Sequence, residues 1–414
     1  MNDVLSPDWT AAPAAPAPGH ARFTGSRHAY RKLMVRGALL QLVTLGVYRF
    51  WLTTIARRFL WANTEIEGNS LEYTGTGMEL FLGFLMAIAL LVPVYVLIFI
   101  GTLELGVLSR MSSSLGFLFL LTFGQYAYYR ARRYRLTRTV FRGVRLHQSG
   151  SAWSYALRSL LWTILVGLTA GLAYPWAQAS LERYKMANTY YGELQGGFVA
   201  TGGSLFKRGI VLWLITILAF AGAIAASVWF SQAMVGAKLT PAMMTGKVIA
   251  TILAIVFAVI IICAGVYVTL QAVVTKWWLA GVRFGTVEVV TTLRKRQIVG
   301  AYVRFVLYLI LFSFVIGIIL AGISTAALLG AGIAKGTLAY GYVAGAMTAV
   351  GYLATILAGW VTYQVTVKLR IWQVMTDSVE FRGFDAVERV HADLTRPSSA
   401  VGEGLADALG AGGI

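Results

Sequence analysis

Five stretches of this chain are long and apolar enough to force a decision about where it folds: Leu80–Leu103, Leu205–Phe230, Val248–Val274, Phe305–Ser324 and Leu338–Val365. None contains an Asp or Glu, and the charges they do hold are Lys207 and Arg208, at the start of the second run. About 20 apolar residues suffice to cross the hydrocarbon core of a bilayer as a helix. A chain with five such runs cannot bury them all in a water-soluble core of its own. It reads as an integral membrane protein.

A shorter run, Leu115–Tyr129, makes a sixth span with help from its aromatic end. The six pair into three helical hairpins whose expected turns are Glu104–Ser114, Ser231–Lys247 and Thr325–Thr337. Two further apolar stretches, Leu33–Ile55 and Trp153–Leu181, are interrupted by Arg, Gln, Gly or Pro. If each crossed once, the cluster Arg130, Arg132, Arg133, Arg135, Arg138, Arg142 and Arg145 would lie opposite Arg31 and Lys32, against the positive-inside rule. If each turns back, at Thr44-Leu45-Gly46 and Thr169-Ala170-Gly171, all but Arg110, Lys238, Lys247 and Lys335 of the 35 basic residues fall on one face. We therefore expect two broken or re-entrant segments, with eight conventional spans as the alternative.

The charge balance then has a cause. The net charge is +18, yet only 13% of residues are charged and 58% are hydrophobic. That excludes a disordered basic protein, which lacks apolar mass. The run Tyr126–Arg135 alternates Tyr and Arg, but its place at the end of an apolar helix favours lipid headgroups over nucleic acid. Cys263, the single cysteine, lies in an apolar run and can form no disulfide within the chain. Residues 1–22, rich in Ala and Pro, and 394–414, rich in Gly, read as flexible tails, and the first lacks the apolar core of a signal peptide.

The sequence also repeats itself. Trp51–Thr64 superposes on Trp176–Thr189 without gaps, matching Trp51 with Trp176, Arg58 with Arg183, and Ala62-Asn63-Thr64 with Ala187-Asn188-Thr189. A basic residue six positions before a Thr or Val recurs at Arg58/Thr64, Arg133/Thr139, Arg183/Thr189, Lys276/Val282 and Arg370/Thr376. Alternating segments ending in Gly follow, such as Thr139-Val-Phe-Arg-Gly143, and read as a strand and a turn. The expected fold is an all-α polytopic membrane protein with short β-strands at the cytoplasmic helix exits, where they could pair into a small sheet. Its expected units are 23–140, 141–283 and 284–393.

Phe23-Thr-Gly25, Thr44-Leu-Gly-Val-Tyr48, Trp51, Arg57-Arg58 and Asn63-Thr64 together resemble the YjgN-like family of bacterial inner-membrane proteins. Gly171-Leu-Ala-Tyr-Pro-Trp176, Ala187-Asn-Thr189 and Phe141-Arg-Gly143 echo that signature, and the resemblance spans about 23–390. Arg49-Phe50 departs from it, where the family tends to have a small residue and Pro, as at Tyr174-Pro175. The resemblance implies a polytopic inner-membrane protein with intracellular basic junctions. It supplies no substrate and no catalytic residue.

No chemistry stands out beside it. His20, His28, His147 and His391 have no metal-ligand spacing. There is no Walker loop, paired carboxylate or nucleophilic triad, so neither an enzyme nor a cofactor is expected. Gln41, Gln125 and Gln178 suit hydrogen bonds between helices. Glu104 is an acid at the far end of its hairpin. The candidate lipid or polar-ligand junction is Trp51, Arg58, Asn63, Trp176, Arg183 and Asn188. The candidate basic cluster is Arg130, Arg132, Arg133, Arg135 and Arg138. Expected partners are the bilayer, anionic phospholipid headgroups and a cytoplasmic protein. Expected function is transport of a small molecule or lipid, with a non-catalytic, lipid-interacting scaffold as the alternative.

Overall fold

The computed structural model describes residues 19–103, 107–234, 241–330, 337–388 and 390, with 405, 406, 408 and 409. Among these, one plan recurs: a strand, a helical hairpin, and a second strand that pairs with the first. The first unit is β1 (Gly19–Phe23), α1 (Arg27–Val43), α2 (Arg49–Ala62) and β2 (Thr64–Ile66). The second is β3 (Asn69–Tyr73), α3 (Gly77–Leu103), α4 (Val107–Thr137) and β4 (Thr139–Phe141). The third is β5 (Val144–Gln148), α5 (Ala152–Leu168), α6 (Tyr174–Ala187) and β6 (Thr189–Tyr191). The fourth is β7 (Leu194–Phe198), α7 (Gly202–Met234), α8 (Pro241–Leu279) and β8 (Val282–Phe284).

The fifth unit holds β9 (Val287–Thr291), α9 (Lys295–Gly330), α10 (Leu338–Tyr363), a π-helical turn Gln364–Lys368, α11 (Leu369–Asp377) and β10 (Val379–Arg382). A short helix, α12 (Asp385–Glu388), follows.

The strands are too short to stand alone, so their pairing is what gives them stability. They do not form the small sheet expected from the sequence. All ten pair antiparallel in chain order, and β10 pairs with β1, closing a barrel. Closure removes the exposed sheet edges that would otherwise recruit other strands. The chain is therefore not all-α as expected, although helices dominate it. Within a unit the strands pair across the helical hairpin, as Phe23 with Thr64 and Tyr73 with Thr139. Between units they join through tight turns. At Glu67-Gly68 and Arg142-Gly143 both residues have positive φ, the geometry whose twist suits a two-residue β-hairpin.

Among the described residues, five helices are long and apolar enough to cross a membrane: Gly77–Gly101, Gly202–Met234, Thr245–Leu279, Lys295–Ala326 and Leu338–Asp377. This is the make-up of a multi-pass membrane protein. The expected sixth run lies in α4, whose second half carries Arg130 to Arg135. The described parts of the turns are shorter than expected, since α4 already begins at Val107 and α7 runs to Met234. Glu104 lies outside the described residues.

The two interrupted stretches are helical hairpins. In each, the break falls at the expected residues, with Leu45 and Gly46 at φ 49° and 90° and Ala170 and Gly171 at 48° and 91°. Side chains at these tips face outward, as at Leu45 (94% exposed). Both hairpins start 125 residues apart, at Arg27 and Ala152, and match element for element, with helices of 17 and 14 residues.

Two expectations about the ends need correction. Residues 1–22 read as a flexible tail, but 19–23 is a barrel strand whose Ala21 and Phe23 are buried. In the C-terminal tail, Leu405 and Ala406 are buried against Ala87, Phe123, Ala127 and Ala131 of α3 and α4.

Candidate functional site

The helix–strand junctions encircle the barrel mouth, and their side chains tie the fifth unit to the first and the first four units to one another in turn. The hydroxyls of Thr64, Thr139 and Thr189 each donate back to the helix carbonyl four residues earlier. Each also accepts a hydrogen bond from the preceding unit around the ring. Trp372 Nε1 donates to Thr64 Oγ1 at 3.0 Å, Trp61 Nε1 to Thr139 Oγ1 at 3.0 Å, and Arg132 Nη1 to Thr189 Oγ1 at 2.8 Å. The corresponding residue in the fourth unit, Val282, has no hydroxyl. There the direction reverses: Trp278 of the fourth unit donates to Glu182 Oε2 of the third at 3.0 Å.

Glu182 also accepts from Lys185 Nζ at 2.6 Å, and both residues are buried. Burial alone would push the Lys185 ammonium down. The Tyr128 ring and the Glu182 carboxylate beside it outweigh that and hold it above the ordinary lysine value. Arg132, taken from water, is pushed below the usual arginine value, against the opposing pull of Glu182. Paired buried charges of this kind add little net stability but are costly to break.

The predicted residues scatter in role. Arg58 Nη2 donates to the Gly75 carbonyl at 2.9 Å, and Arg133 Nη2 donates to the carbonyls of Ser149 and Gly150. Each guanidinium thus clamps the loop that opens the next unit's helix. Arg183 is exposed. Asn63 and Asn188 cap helix ends: their Nδ2 groups donate to Phe59 and Tyr184 carbonyls at 2.7 Å. Trp51 and Trp176 pack against Phe81 and Phe206, where α3 and α7 approach so closely that Gly77 and Gly202 are needed.

The predicted basic cluster does not form a single patch. Arg132 turns to Thr189, Arg133 to the α5 loop, and Arg138 pairs with Glu79 at 2.9 Å, while Tyr134 donates to the other Glu79 oxygen. Arg130 and Arg135 are half-buried. The fifth member of the basic-to-strand spacing is also out of register. β10 starts at Val379, so Gln373, not Arg370, stands six residues before a strand.

Below the junctions, the barrel strands line an open cavity of about 430 Å³. Ile66, Leu71, Phe141, Tyr191, Phe284 and Phe381 line it, with Trp278 and Trp372 toward the helices. A barrel of eight strands is about filled by its own side chains, so ten leave room. Phe384 and Val387 pack against Phe141, Val144 and Tyr191, and Arg142 lies 5.3 Å over the Phe384 ring. Sequence reasoning missed this cavity because its lining comes from strands spread along nearly the whole chain. It also passed over Arg57, which is 1% exposed and donates to Tyr73 Oη at 3.0 Å. No group of His, Cys, Asp or Glu able to hold a metal occurs among the described residues.

A barrel of five strand–hairpin–strand units with apolar helices defines the class of multi-pass helical membrane protein. The chain belongs to the family DUF898, described as a bacterial protein of unknown function, whose model matches residues 18–408. That accords with the YjgN-like signature. No curated protein and no solved structure matches the chain.

Proposed function

We propose that this chain is a non-catalytic, lipid-interacting protein of the bacterial inner membrane, with its barrel and both termini in the cytoplasm. The observation that carries the reading is topological. Every helical hairpin leaves the barrel and returns to it, so the basic junctions share one side of the molecule. The positive-inside rule makes that side cytoplasmic. The hairpins of the first and third units have first helices of 17 residues, about 26 Å at 1.5 Å per residue, short of the roughly 30 Å hydrocarbon core. With apolar tips, they dip into the bilayer from the barrel side. The 125-residue recurrence is then a duplication of one dipping hairpin followed by one spanning hairpin.

Transport through the two breaks would call for a polar cavity lined by both. The space beside Gly171, about 300 Å³, is walled mainly by apolar groups such as Val166, Pro175, Leu205, Trp213 and Leu270. A Cβ built on Gly46 would meet nothing within 4 Å. These features favour the lipid-interacting reading.

The test is single-cysteine labelling in a Cys263→Ala background. Glu67→Cys, Glu193→Cys and Thr286→Cys, at barrel turns, should react only from the cytoplasmic side, and Ser231→Cys only from the other. Mixed sidedness at the three turns would end the reading. In parallel, gently extracted protein should retain anionic phospholipid.

A further inference from the structure

The seam between the first and fifth units holds an amphipathic groove of about 760 Å³. α1 and α9 both pack on the helix formed by α10 and the π-helical turn, and they stand on either side of it. Because α1 is a short helix beside long ones, the space past it is left open along α9 and α10. At the barrel end the groove is walled by Arg27, Arg31, Arg304 and Arg370, with His28. Away from the barrel its walls turn apolar, through Leu311, Phe312 and Val315 on α9 and Val361 and Val365 opposite.

Four guanidinium groups converge here with little compensation. Among the described residues, none of the four takes part in an ion pair within 4.0 Å. Arg31 contacts His28 Nδ1 at 3.3 Å, Arg304 Nε donates to the Gly300 carbonyl, and Arg370 Nη1 donates to Gln373. Arg370 Nε is buried with no partner. Asp377, the carboxylate that acts on Arg370, accepts from the Phe23 amide at 2.8 Å. Arg27, Arg31 and Arg304 are exposed and so partly screened by water, yet like charges gathered this way still repel, and an anion among them relieves that repulsion.

The groove wall is also where the helix leaves α geometry. The π-helical turn Gln364–Lys368 supplies Val365 and Thr366 to the lining, and such turns are frequent at functional sites. From Arg304 to Val315 the groove runs about 16 Å along α9, at 1.5 Å per residue. That is about half of a 30 Å hydrocarbon core, the depth of one leaflet.

We propose that this groove binds one anionic phospholipid, its phosphate held by Arg27, Arg31, Arg304 and Arg370 and an acyl chain lying along Leu311, Phe312 and Val315. The proposal rests on the lipid-interacting reading and gives it a site. Basic pockets between membrane helices on the cytoplasmic side are suited to such headgroups.

The test uses full-length protein purified in detergent. Thermal stability and native mass spectrometry are read with phosphatidylglycerol, cardiolipin or phosphatidylcholine, and with inorganic phosphate as the soluble arm. We expect the two anionic lipids to bind and stabilise and phosphatidylcholine and phosphate to do neither. Arg27→Gln/Arg304→Gln should weaken anionic-lipid binding at least tenfold. Val315→Trp, which fills the apolar end and leaves the charges, should weaken it too. Lys207→Gln/Arg208→Gln, with the same charge loss elsewhere, should bind as wild type.

Equal binding of phosphatidylcholine, full protection by phosphate alone, or unchanged binding by both folded groove variants overturns the assignment. If wild-type protein binds no anionic lipid at all, the wider functional reading falls with it. Binding that survives in the groove variants removes only this site.

Discussion

The Trp61 indole, on the first unit, donates to the Thr139 hydroxyl of the second at 3.0 Å, and that hydroxyl donates in turn to the Arg135 carbonyl. Two units are held through one oxygen that both gives and receives. Thr139→Val keeps the shape and strands the buried N–H of Trp61, at a cost of about 1–3 kcal/mol. Equilibrium unfolding followed by circular dichroism would measure this. Thr189→Val, which strands Arg132 Nη1, should cost more, because the donor there is charged.

A second prediction concerns close helix approach. A Cβ on Gly77 would lie 2.8 Å from Trp51 Cα, and one on Gly202 the same distance from Trp176 Cα. These Cα atoms are backbone and cannot rotate aside. Gly77→Ala and Gly202→Ala should each cost roughly 1–3 kcal/mol, as overpacking usually does. Gly203→Ala, with nothing within 4 Å, is the control and should leave the unfolding midpoint nearly unchanged.

Gly46 separates backbone strain from crowding. Its φ is 90°, and an added Cβ has open space around it. Gly46→Ala should therefore lose roughly 1–2 kcal/mol from conformation alone. A cost near zero in the unfolding midpoint would mean that the tip relaxes to another turn.

The buried pair of Glu182 and Lys185 predicts an asymmetric response. Glu182→Ala leaves a buried ammonium beside aromatic rings and should cost about 3–5 kcal/mol. Glu182→Ala/Lys185→Met should recover much of that loss, since a buried pair replaced by apolar groups is often near neutral. The sign with pH follows from the direction of the shift. Lys185 is held above its unfolded value, so its stabilisation is fully present below about pH 10.4, the ordinary lysine value. It is lost only as pH rises past that range. Unfolding free energy measured between pH 6 and pH 9 should show no slope that disappears in Lys185→Met.

Much of this architecture is written in periodic apolar runs. The five spans, the two breaks at Gly46 and Gly171, and the recurrence of Trp51–Thr64 at Trp176–Thr189 are all local patterns in the sequence. Barrel closure is not local. β10 finds β1 across more than 350 residues, and strands of three to five residues carry too little alternation to name a partner. Register misled in the same way at Arg370, where the spacing to Thr376 mimicked a junction but α11 runs on to Asp377 and the strand begins only at Val379.

Of the candidate site, Arg58, Arg133, Asn63 and Asn188 were legible as junction residues because they sit at fixed distances from a helix exit. The signal for the seam groove was fainter: Arg304 is a single charge at the threshold of an apolar run, and Arg27 and Arg31 belong to a helix at the other end of the chain.

The pairing of β1 with β10 also sets an order of assembly. While the chain emerges from the ribosome, each strand from β2 to β9 can pair with the one made before it. The outer edge of β1 must wait until residue 382 has been synthesised and five helical hairpins have found their places. The last strand to appear is the one that completes the ring. A chain cut short by even one unit would leave two strand edges open at the seam, and the arginine groove formed there would keep only the wall that α1 supplies.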